Sequence, residues 1–427
     1  MRRSPLLASV PLLALFVGAA AFAGSTSGPA AGAAPGFRLE RLAHVDPPGS
    51  TADVYGFGTY AYLSSYRSPD CPAAGVRVYS LKNPRKPRLV STFAHGAADR
   101  SLTGSDTQKT IVKPIKTPRF KGVIAVTGFQ RCVTGGFQGF GVYDVTNPAR
   151  PKKLAVVSTE PRGAHELWVQ TKGNRVYVYL AVSNSELMSS PDYDAQKRTA
   201  TIPGDPDFRI YDVTNPRRPV RVGDWGAWKT LGIHPTNGRG SYKANFVHSV
   251  YTNQAATRAF LSYWDLGTVI LDISRPAQPQ YLGRTPVETN QPEGDAHSVA
   301  LGRNGTLLIE THEAPRAAFP TLYDISDPRA PRKLSDFMLP TAGPPPDASF
   351  LNGVHDPKIL GNRAYFSWYR QGVVVADISN PSDPRLLAQF VPPGSASVWG
   401  VFATSKYVLA SDMDSGLWVL SLRPTSG

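Results

Sequence analysis

VILDISRPAQPQYL, residues 269–282, is the stretch that decides the fold. A short apolar run ends in an acid, then come Ile, Ser, one variable residue, Pro-x-x-Pro and a second apolar run. The residue before each proline is driven towards extended backbone, and each proline withholds an amide donor. The motif therefore reads as one strand ending, a fixed turn and another strand beginning. It recurs as VRVYSLKNPRKPRLV (76–90), GVYDVTNPARPKKL (141–154), RIYDVTNPRRPVRV (209–222), TLYDISDPRAPRKL (321–334) and VVADISNPSDPRLL (374–387). A shortened copy, GLWVLSL (416–422), stops before the turn. One such unit cannot bury its own apolar face and must stack on its neighbours. The acid and the Ser or Thr of each copy are expected to bond the turn backbone, a structural role.

Two further strand-like runs precede each proline turn. The nearer ones, such as RVYVYLAV (175–182) and RAYFSWY (363–369), are rich in β-branched and aromatic residues. The farther ones are short: HELWVQ (165–170), HSVYTN (248–253), HSVALG (297–302) and HDPKIL (355–360). Each unit thus has four strands, A to D, and no segment shows helical periodicity. The last unit lacks its strand D, and FRLERLAHV (37–45) stands before the first strand A. Pairing 37–45 with 416–422 would close a ring and leave no exposed sheet edge. The expectation is an all-β protein, a seven-bladed β-propeller of four-stranded blades, spanning 37–427 as one domain.

The pattern Val/Ile-x-x-Asp-Val/Ile-Ser/Thr-x-Pro-x-x-Pro, as in Leu271-Asp272-Ile273-Ser274-Arg275-Pro276-Ala277-Gln278-Pro279, resembles that of the LVIVD-repeat family. The likeness extends over nearly all of 37–422. It implies a β-propeller, commonly on exported or surface proteins, and says little about activity, because the repeat defines the fold and not a site.

Residues 1–23 read as a secretory signal: Arg2 and Arg3, an apolar stretch from Leu6 to Phe16, and the small-residue site Ala21-Phe22-Ala23. Residues 24–36 form a Gly/Ala/Pro-rich leader. No later run is apolar and long enough to span a bilayer. The chain of 427 residues carries a formal charge of +14, much of it from basic residues in the proline turns, such as Arg85, Lys86, Arg217, Arg218 and Arg329. A basic rim suits cell-wall polyanions or anionic lipid; export argues against nucleic acid. The expected location is secreted, extracellular or at the cell envelope, and the expected state a monomer.

Chemistry is expected on the face that gathers the long B–C loops (66–75, 129–140, 184–208, 313–320) and D–A loops (95–109, 226–245, 340–353). Four of the eight histidines, His165, His248, His297 and His355, begin four consecutive A strands, and His312 ends the B strand beside His297. Strand A is innermost in a propeller, so these imidazoles are candidate ligands for a transition metal at the channel mouth. Glu166, Glu293, Asp295, Glu310, Glu313 and Asp356 supply carboxylates nearby. The competing reading is that the histidines pack the channel and bond backbone carbonyls. Trp399 stands near the same slot in the last unit, and Asp53 or Val54 in the first. Metal-dependent propeller oxidases of the selenium-binding and methanethiol-oxidase type offer an analogy of architecture, without a motif match. No nucleophile elbow, P-loop or dinucleotide fingerprint is present.

The two cysteines, Cys71 and Cys132, fall in B–C loops of adjacent units, and an oxidising compartment would favour a disulfide between them. Asp192, Asp194, Asp205 and Asp207 gather in the 184–208 loop without a calcium-loop spacing. Tyr66, Trp228, Trp264, Trp368 and Tyr369 are candidates either for stacking on a sugar or peptide or for packing. Two functions follow. The preferred one is an exported scaffold that binds a protein, glycan or small molecule through its loop-rich face. The alternative is a metal-dependent enzyme of oxidase or hydrolase type, its metal held by the five histidines.

Overall fold

The computed structural model describes residues 36–66, 75–97, 99–182, 206–235, 238–239, 243–287, 295–313, 319–340 and 352–425. The expected signal, leader and Cys71 lie outside them, as do Asp192, Asp194 and Asp205.

The described residues form antiparallel sheets of four strands taken in chain order. β1 (Phe37–Val45) stands first. β2 (Thr51–Phe57), β3 (Tyr60–Ser65), β4 (Val76–Ser80) and β5 (Arg88–Phe93) follow. Next come β6 (Ser105–Thr117), β7 (Phe120–Arg131), β8 (Gly139–Asp144) and β9 (Lys152–Ser158). β10 (Glu166–Lys172), β11 (Arg175–Ala181), β12 (Phe208–Asp212) and β13 (Val220–Trp225) make the next sheet. β14 (Ser249–Thr252), β15 (Arg258–Ser262), β16 (Thr268–Asp272) and β17 (Gln280–Arg284) succeed it. Then come β18 (Ala296–Gly302), β19 (Leu307–His312), β20 (Thr321–Asp324) and β21 (Arg332–Asp336). β22 (Asp356–Leu360), β23 (Arg363–Trp368), β24 (Gly372–Asp377) and β25 (Arg385–Phe390) precede β26 (Val398–Ala403), β27 (Val408–Asp412) and β28 (Gly416–Pro424). β28 takes β1 as its outer neighbour, with Leu39 opposite Leu422 and Val45 opposite Leu417. A single pair, Ser65 with Thr107, links β3 to β6 and so joins two four-stranded sets into one eight-stranded sheet. The first strands touch one another in sequence, β2 to β6, β10, β14, β18, β22 and β26, and β26 touches β2.

The proline turns show why the repeat is written as it is. The acid accepts a hydrogen bond from the amide two residues on: Asp144 from Thr146 at 2.9 Å, Asp212 from Thr214 at 2.8 Å, Asp272 from Ser274 at 2.7 Å, Asp324 from Ser326 at 3.0 Å and Asp377 from Ser379 at 2.8 Å. The next apolar residue is buried and donates its amide back to the start of strand B, as Val213 does to Val176 and Ile273 to Thr257. The turn proper places Pro at its second position. The amide of Lys86 meets Asn83 O at 3.0 Å, Arg218 meets Asn215 O at 2.9 Å and Asp383 meets Asn380 O at 3.0 Å, the geometry that proline's fixed φ prepares. The acids are therefore structural, as the sequence suggested.

Neighbouring sheets lock through these turns. Ser91 Oγ donates to Pro148 O at 2.6 Å, and Ser335 Oγ to Pro381 O at 2.7 Å. At the corresponding place Gly223 and Gly283 leave room for the next turn: a Cβ there would stand 1.9 Å from Pro276 O and 2.5 Å from Pro328 O. Between the sheets lies an apolar core of Val, Ile, Leu and aromatic side chains, such as Val178, Ile210, Leu261 and Phe366, all without exposed surface. Burial of such residues is the main source of stability.

Three sequence expectations need correction. One turn of helix, α1 (Ala227–Leu231), interrupts the 226–245 loop. Residues 105–109, read as loop, belong to β6. Asp207, grouped with the acids of the 184–208 loop, is instead buried, accepting from Tyr263 Oη at 2.9 Å and Val247 N at 3.0 Å. Among the described residues no helix is long and apolar enough to cross a membrane.

Candidate metal centre

Four of the predicted histidines come together. Backbone pairing sets the slot: His165 N donates to Ala181 O at 3.0 Å, His248 N to Ser262 O at 2.8 Å and His355 N to Ser367 O at 2.9 Å, each at the end of strand B. In β18 an irregularity between Ala296 and Val299 places His297 there. The rings form a continuous run, with centroids 4.3 Å apart for His165 and His248, 4.0 Å for His248 and His297, and 4.2 Å for His297 and His355. Trp399 extends it, 4.2 Å from His355, so the slot suggested by the sequence in the last unit is filled by an aromatic.

Hydrogen bonds define which nitrogens carry protons. His248 Nδ1 meets His297 O at 3.1 Å, and His297 Nδ1 meets His355 O at 2.7 Å. A carbonyl only accepts, so both Nδ1 atoms are protonated and both Nε2 atoms present lone pairs. His165 Nδ1 meets the side-chain amide of Gln130 at 3.0 Å, and that amide can offer it either its oxygen or its NH2 group. The Nε2 atoms of His165 and His248 then face each other at 2.8 Å. With His248 Nε2 unprotonated, a neutral His165 in its Nε2–H tautomer donates across that distance.

Glu313 supplies a carboxylate. Its Oε2 lies 3.5 Å from His297 Nε2, and its Oε1 accepts from Tyr369 Oη at 2.6 Å. One ligand atom each from His248, His297 and Glu313 lies within 4.8 Å of the others. Burial raises the Glu313 carboxyl to about 7, against the hydrogen bond from Tyr369. Burial and the neighbouring His165 lower His297 to about 3. His248 and His355 fall well below the ordinary histidine range for the same reason, burial first and neighbouring imidazoles second.

Two aromatic residues at the mouth carry backbone in the left-handed region, Trp264 at φ 30° and Tyr369 at φ 22°. Bulky side chains adopt it only where the surroundings enforce it. Each sits in a tight hairpin beside the rings, Trp264 5.3 Å from His248 and Tyr369 5.4 Å from His355. Both are buried, as is Trp368, so these candidates pack rather than offer a stacking face; Trp228 on α1 is exposed.

His312 stays apart from this donor set. Its Nε2 lies 3.4 Å from Thr321 Oγ1 and 3.5 Å from Glu310 Oε1. Glu310 in turn accepts from Thr268 Oγ1 at 2.5 Å and Thr285 Oγ1 at 2.8 Å. The expected five-histidine ligand set is therefore reduced, and Glu313 enters it. His355 keeps its Nδ1 buried and without a hydrogen bond among the described residues.

One residue further along the strands lies an ion cluster. Lys109 of β6 is buried with Asp53 (β2) at 3.2 Å, Glu166 (β10) at 3.3 Å and Asp356 (β22) at 2.9 Å. Lys358 reaches Asp356 at 2.6 Å. Although burial opposes it, these two ammonium groups hold Asp356 at about 2, while burial lifts Glu166 to about 7. The three acids keep Lys109 charged despite its burial. Sequence reading did not single out Lys109. Its position in line with Asp53 and Glu166, a cation among acids, was the available signal.

Cys132 follows β7, its amide donating to Gly104 O at 2.9 Å; its expected partner Cys71 lies outside the described residues.

A family model for the LVIVD repeat matches residues 259–285 and 354–391. No curated protein matches the chain significantly in sequence. Among solved structures it is similar to Raptor of Chaetomium thermophilum, at 11% identity and a TM-score of 0.57, over 91% of this chain and 30% of that one. It is similar to virginiamycin B lyase from Staphylococcus aureus, at 8% identity and a TM-score of 0.54, over 90% of this chain and 99% of that one. Saccharomyces cerevisiae Sqt1 matches at 10% identity and a TM-score of 0.55, over 91% of this chain and 100% of that one. These likenesses speak for a propeller-like fold alone. The matched segments each contain one of the proline turns, so the chain carries repeats of the LVIVD type at residues 259–285 and 354–391.

Proposed function

We propose that this chain is an exported seven-bladed β-propeller, closed by β1 against β28, that holds one divalent transition-metal ion at the loop-rich mouth of its channel and acts there as a metal-dependent enzyme on a small molecule. The observation that carries the metal reading is the His248–His297–Glu313 group, in which one ligand atom from each residue lies within 4.8 Å of the others. Metal–nitrogen bonds are about 2.0–2.1 Å, so two nitrogens on one ion stand roughly 3 Å apart. Two imidazoles and a carboxylate are the donor set of catalytic zinc and non-haem iron sites, which keep a position open for water or substrate. The carbonyls behind His248 and His297 fix the ring orientation, and Tyr369 does the same for Glu313. Export follows from residues 1–23, and a Cys71–Cys132 disulfide would tie two loops of the same mouth.

The test is elemental analysis of the tag-free protein purified without chelator, beside His297→Ala and Glu313→Gln. One metal ion per chain in the wild type, and a loss of at least tenfold in occupancy in either variant at unchanged circular dichroism, is expected. A wild type that takes up no zinc, iron, manganese, cobalt or copper on reconstitution would leave the histidines as packing and return the loop-rich face to the scaffold reading.

A further inference from the structure

At the other end of the same first strands the structure has a cavity of about 810 Å³. It lies where strands A turn into strands B, across the ion cluster from the histidines. Its wall carries an aromatic pair, Trp168 and Tyr251, with ring centroids 4.2 Å apart and planes at 39°. Lys113 reaches into it and donates to Gln170 Oε1. Burial pulls its ammonium below the ordinary lysine range, and no carboxylate stands within ion-pair distance of it among the described residues. Two donors in the wall are buried without a hydrogen bond there: Thr252 Oγ1, on a residue only 2% exposed, and Trp168 Nε1. Buried polar groups are rarely left so without a ligand or water to meet them. At the rim, the exposed side chains of Asn304 and Asn362 present free amides.

The cavity opens on the face that carries the proline turns. Hydrogen bonds join the A–B turns to those turns: Lys172 Nζ to Ser274 O at 2.6 Å, Arg303 to Ser379 O at 2.6 Å and Thr117 Oγ1 to Thr214 O at 2.8 Å. On that face the turns expose Lys86, Arg150, Arg217, Arg218, Arg275 and Arg329, none of them in an ion pair among the described residues. These turns also expose Asp327 and Asp383, yet basic side chains outnumber acidic ones on the face that the polar, aromatic-walled pocket opens on.

We infer that this face binds an acidic glycan, one sugar ring resting in the cavity against Trp168 and Tyr251 with its carboxylate towards Lys113, and the chain beyond it crossing the basic turns. Aromatic faces suit the C–H face of a sugar, amide and hydroxyl donors suit its hydroxyls, and an unpaired ammonium selects a carboxylate over a neutral ring. This site is independent of the metal centre, so the two readings fail separately.

The experiment titrates the intact protein with tetrameric uronic-acid oligosaccharides (galacturonate, glucuronate and mannuronate) and with maltotetraose, by calorimetry and tryptophan fluorescence, at 50 and 300 mM NaCl. At least one uronate is expected to bind at least tenfold more tightly than maltotetraose, to weaken with salt, and to lose at least tenfold in Lys113→Met and in Trp168→Ala. Arg217→Gln with Arg218→Gln should reduce the salt dependence and leave the neutral sugar unaffected. Lys113→Met, which removes no ion pair, keeps the test valid if Trp168→Ala fails to fold. Binding of none of the three uronates, equal binding of maltotetraose, or full binding by Lys113→Met would overturn the inference.

Discussion

The proline turns and the channel lining are made from the same strands by opposite rules. At the turns the same atoms recur from sheet to sheet: an acid closed on the amide two residues on, a buried Val or Ile, a proline at the second turn position. Along the channel, the matching positions of β2, β6, β10 and β22 carry Asp53, Lys109, Glu166 and Asp356, no two alike in surroundings. The turns each see the same neighbour, so one solution serves all of them. The first strands of the sheets touch one another in sequence, so the side chains that meet along them must complement one another rather than repeat. A cation among acids and a row of imidazoles are what such a meeting point permits. In a repeat protein, chemistry is to be sought where the repeat stops repeating.

Removing the cation breaks that complement most severely. Lys109→Met leaves Asp53, Glu166 and Asp356 buried around an apolar side chain, with Lys358 touching only Asp356. Breaking one partner of a buried ion cluster costs about 3–5 kcal/mol, and the loss should grow from pH 5 to pH 8 as the acids can no longer shed charge by taking up protons. Arg329→Met, an exposed turn residue, should stay within about 0.5 kcal/mol of wild type. Urea unfolding at both pH values measures the pair. Equal small losses would mean that the channel tolerates substitution as the turns do.

How far each half could be read from the residues follows from the same difference. The proline turns were legible because each rests on local backbone chemistry that six copies restate, and β1 begins and ends where FRLERLAHV does. The histidine register was legible because four copies of one residue share a strand position. His312 misled because its position across from Ala296 fixes where the backbone lies, not which acid its ring meets. Lys109 was obscured for another reason: it gains meaning from acids on other strands, Asp53, Glu166 and Asp356, and nothing in its own window, SDTQKTIVK, distinguishes it from solvent-facing charge. Glu313 was among the carboxylates read as lying near the histidines, but its particular partners, His297 and Tyr369, were not legible. Trp264 and Tyr369 drew attention as candidate ligand platforms, and both proved to be buried residues with left-handed backbone.

Two aspartates seven residues apart sharpen the comparison within one sheet. Asp265 lies in the β15–β16 hairpin, accepts from Ala244 N at 2.9 Å and Arg239 N at 2.8 Å, and keeps Oδ1 buried without a partner among the described residues. Burial lifts it to about 6 from 3.8. The folded state therefore binds a proton that the unfolded state has lost, and stability falls as pH rises from about 4 to about 6. Asp265→Asn keeps the acceptor and removes the buried charge. It should gain up to about 2 kcal/mol at pH 7, given roughly 1.4 kcal/mol per pKa unit and partial access to solvent. It should gain little at pH 4. Thermal unfolding across that range checks it, and a variant less stable at pH 7 would show that the charge itself is used.

Asp272 has the opposite sign and a smaller effect. It sits at the solvent-facing end of β16, and the amide of Ser274 holds its carboxyl below the ordinary range, with burial only a minor opposing influence. Its contribution is present above its unfolded value and fades as pH falls through the folded one. Asp272→Ala frees one turn amide to water and should cost about 1 kcal/mol at neutral pH, the net worth of a single hydrogen bond. The cost should shrink towards pH 2–3, where the wild-type acid is itself protonated. Asp272→Asn, which keeps the acceptor, should recover most of the loss at neutral pH. Because the other turns repeat this bond, the same substitution at Asp212 or Asp324 should cost a similar amount, and measured losses differing by more than about twofold among the three would mean that the turns are less alike than their shared hydrogen bonds indicate.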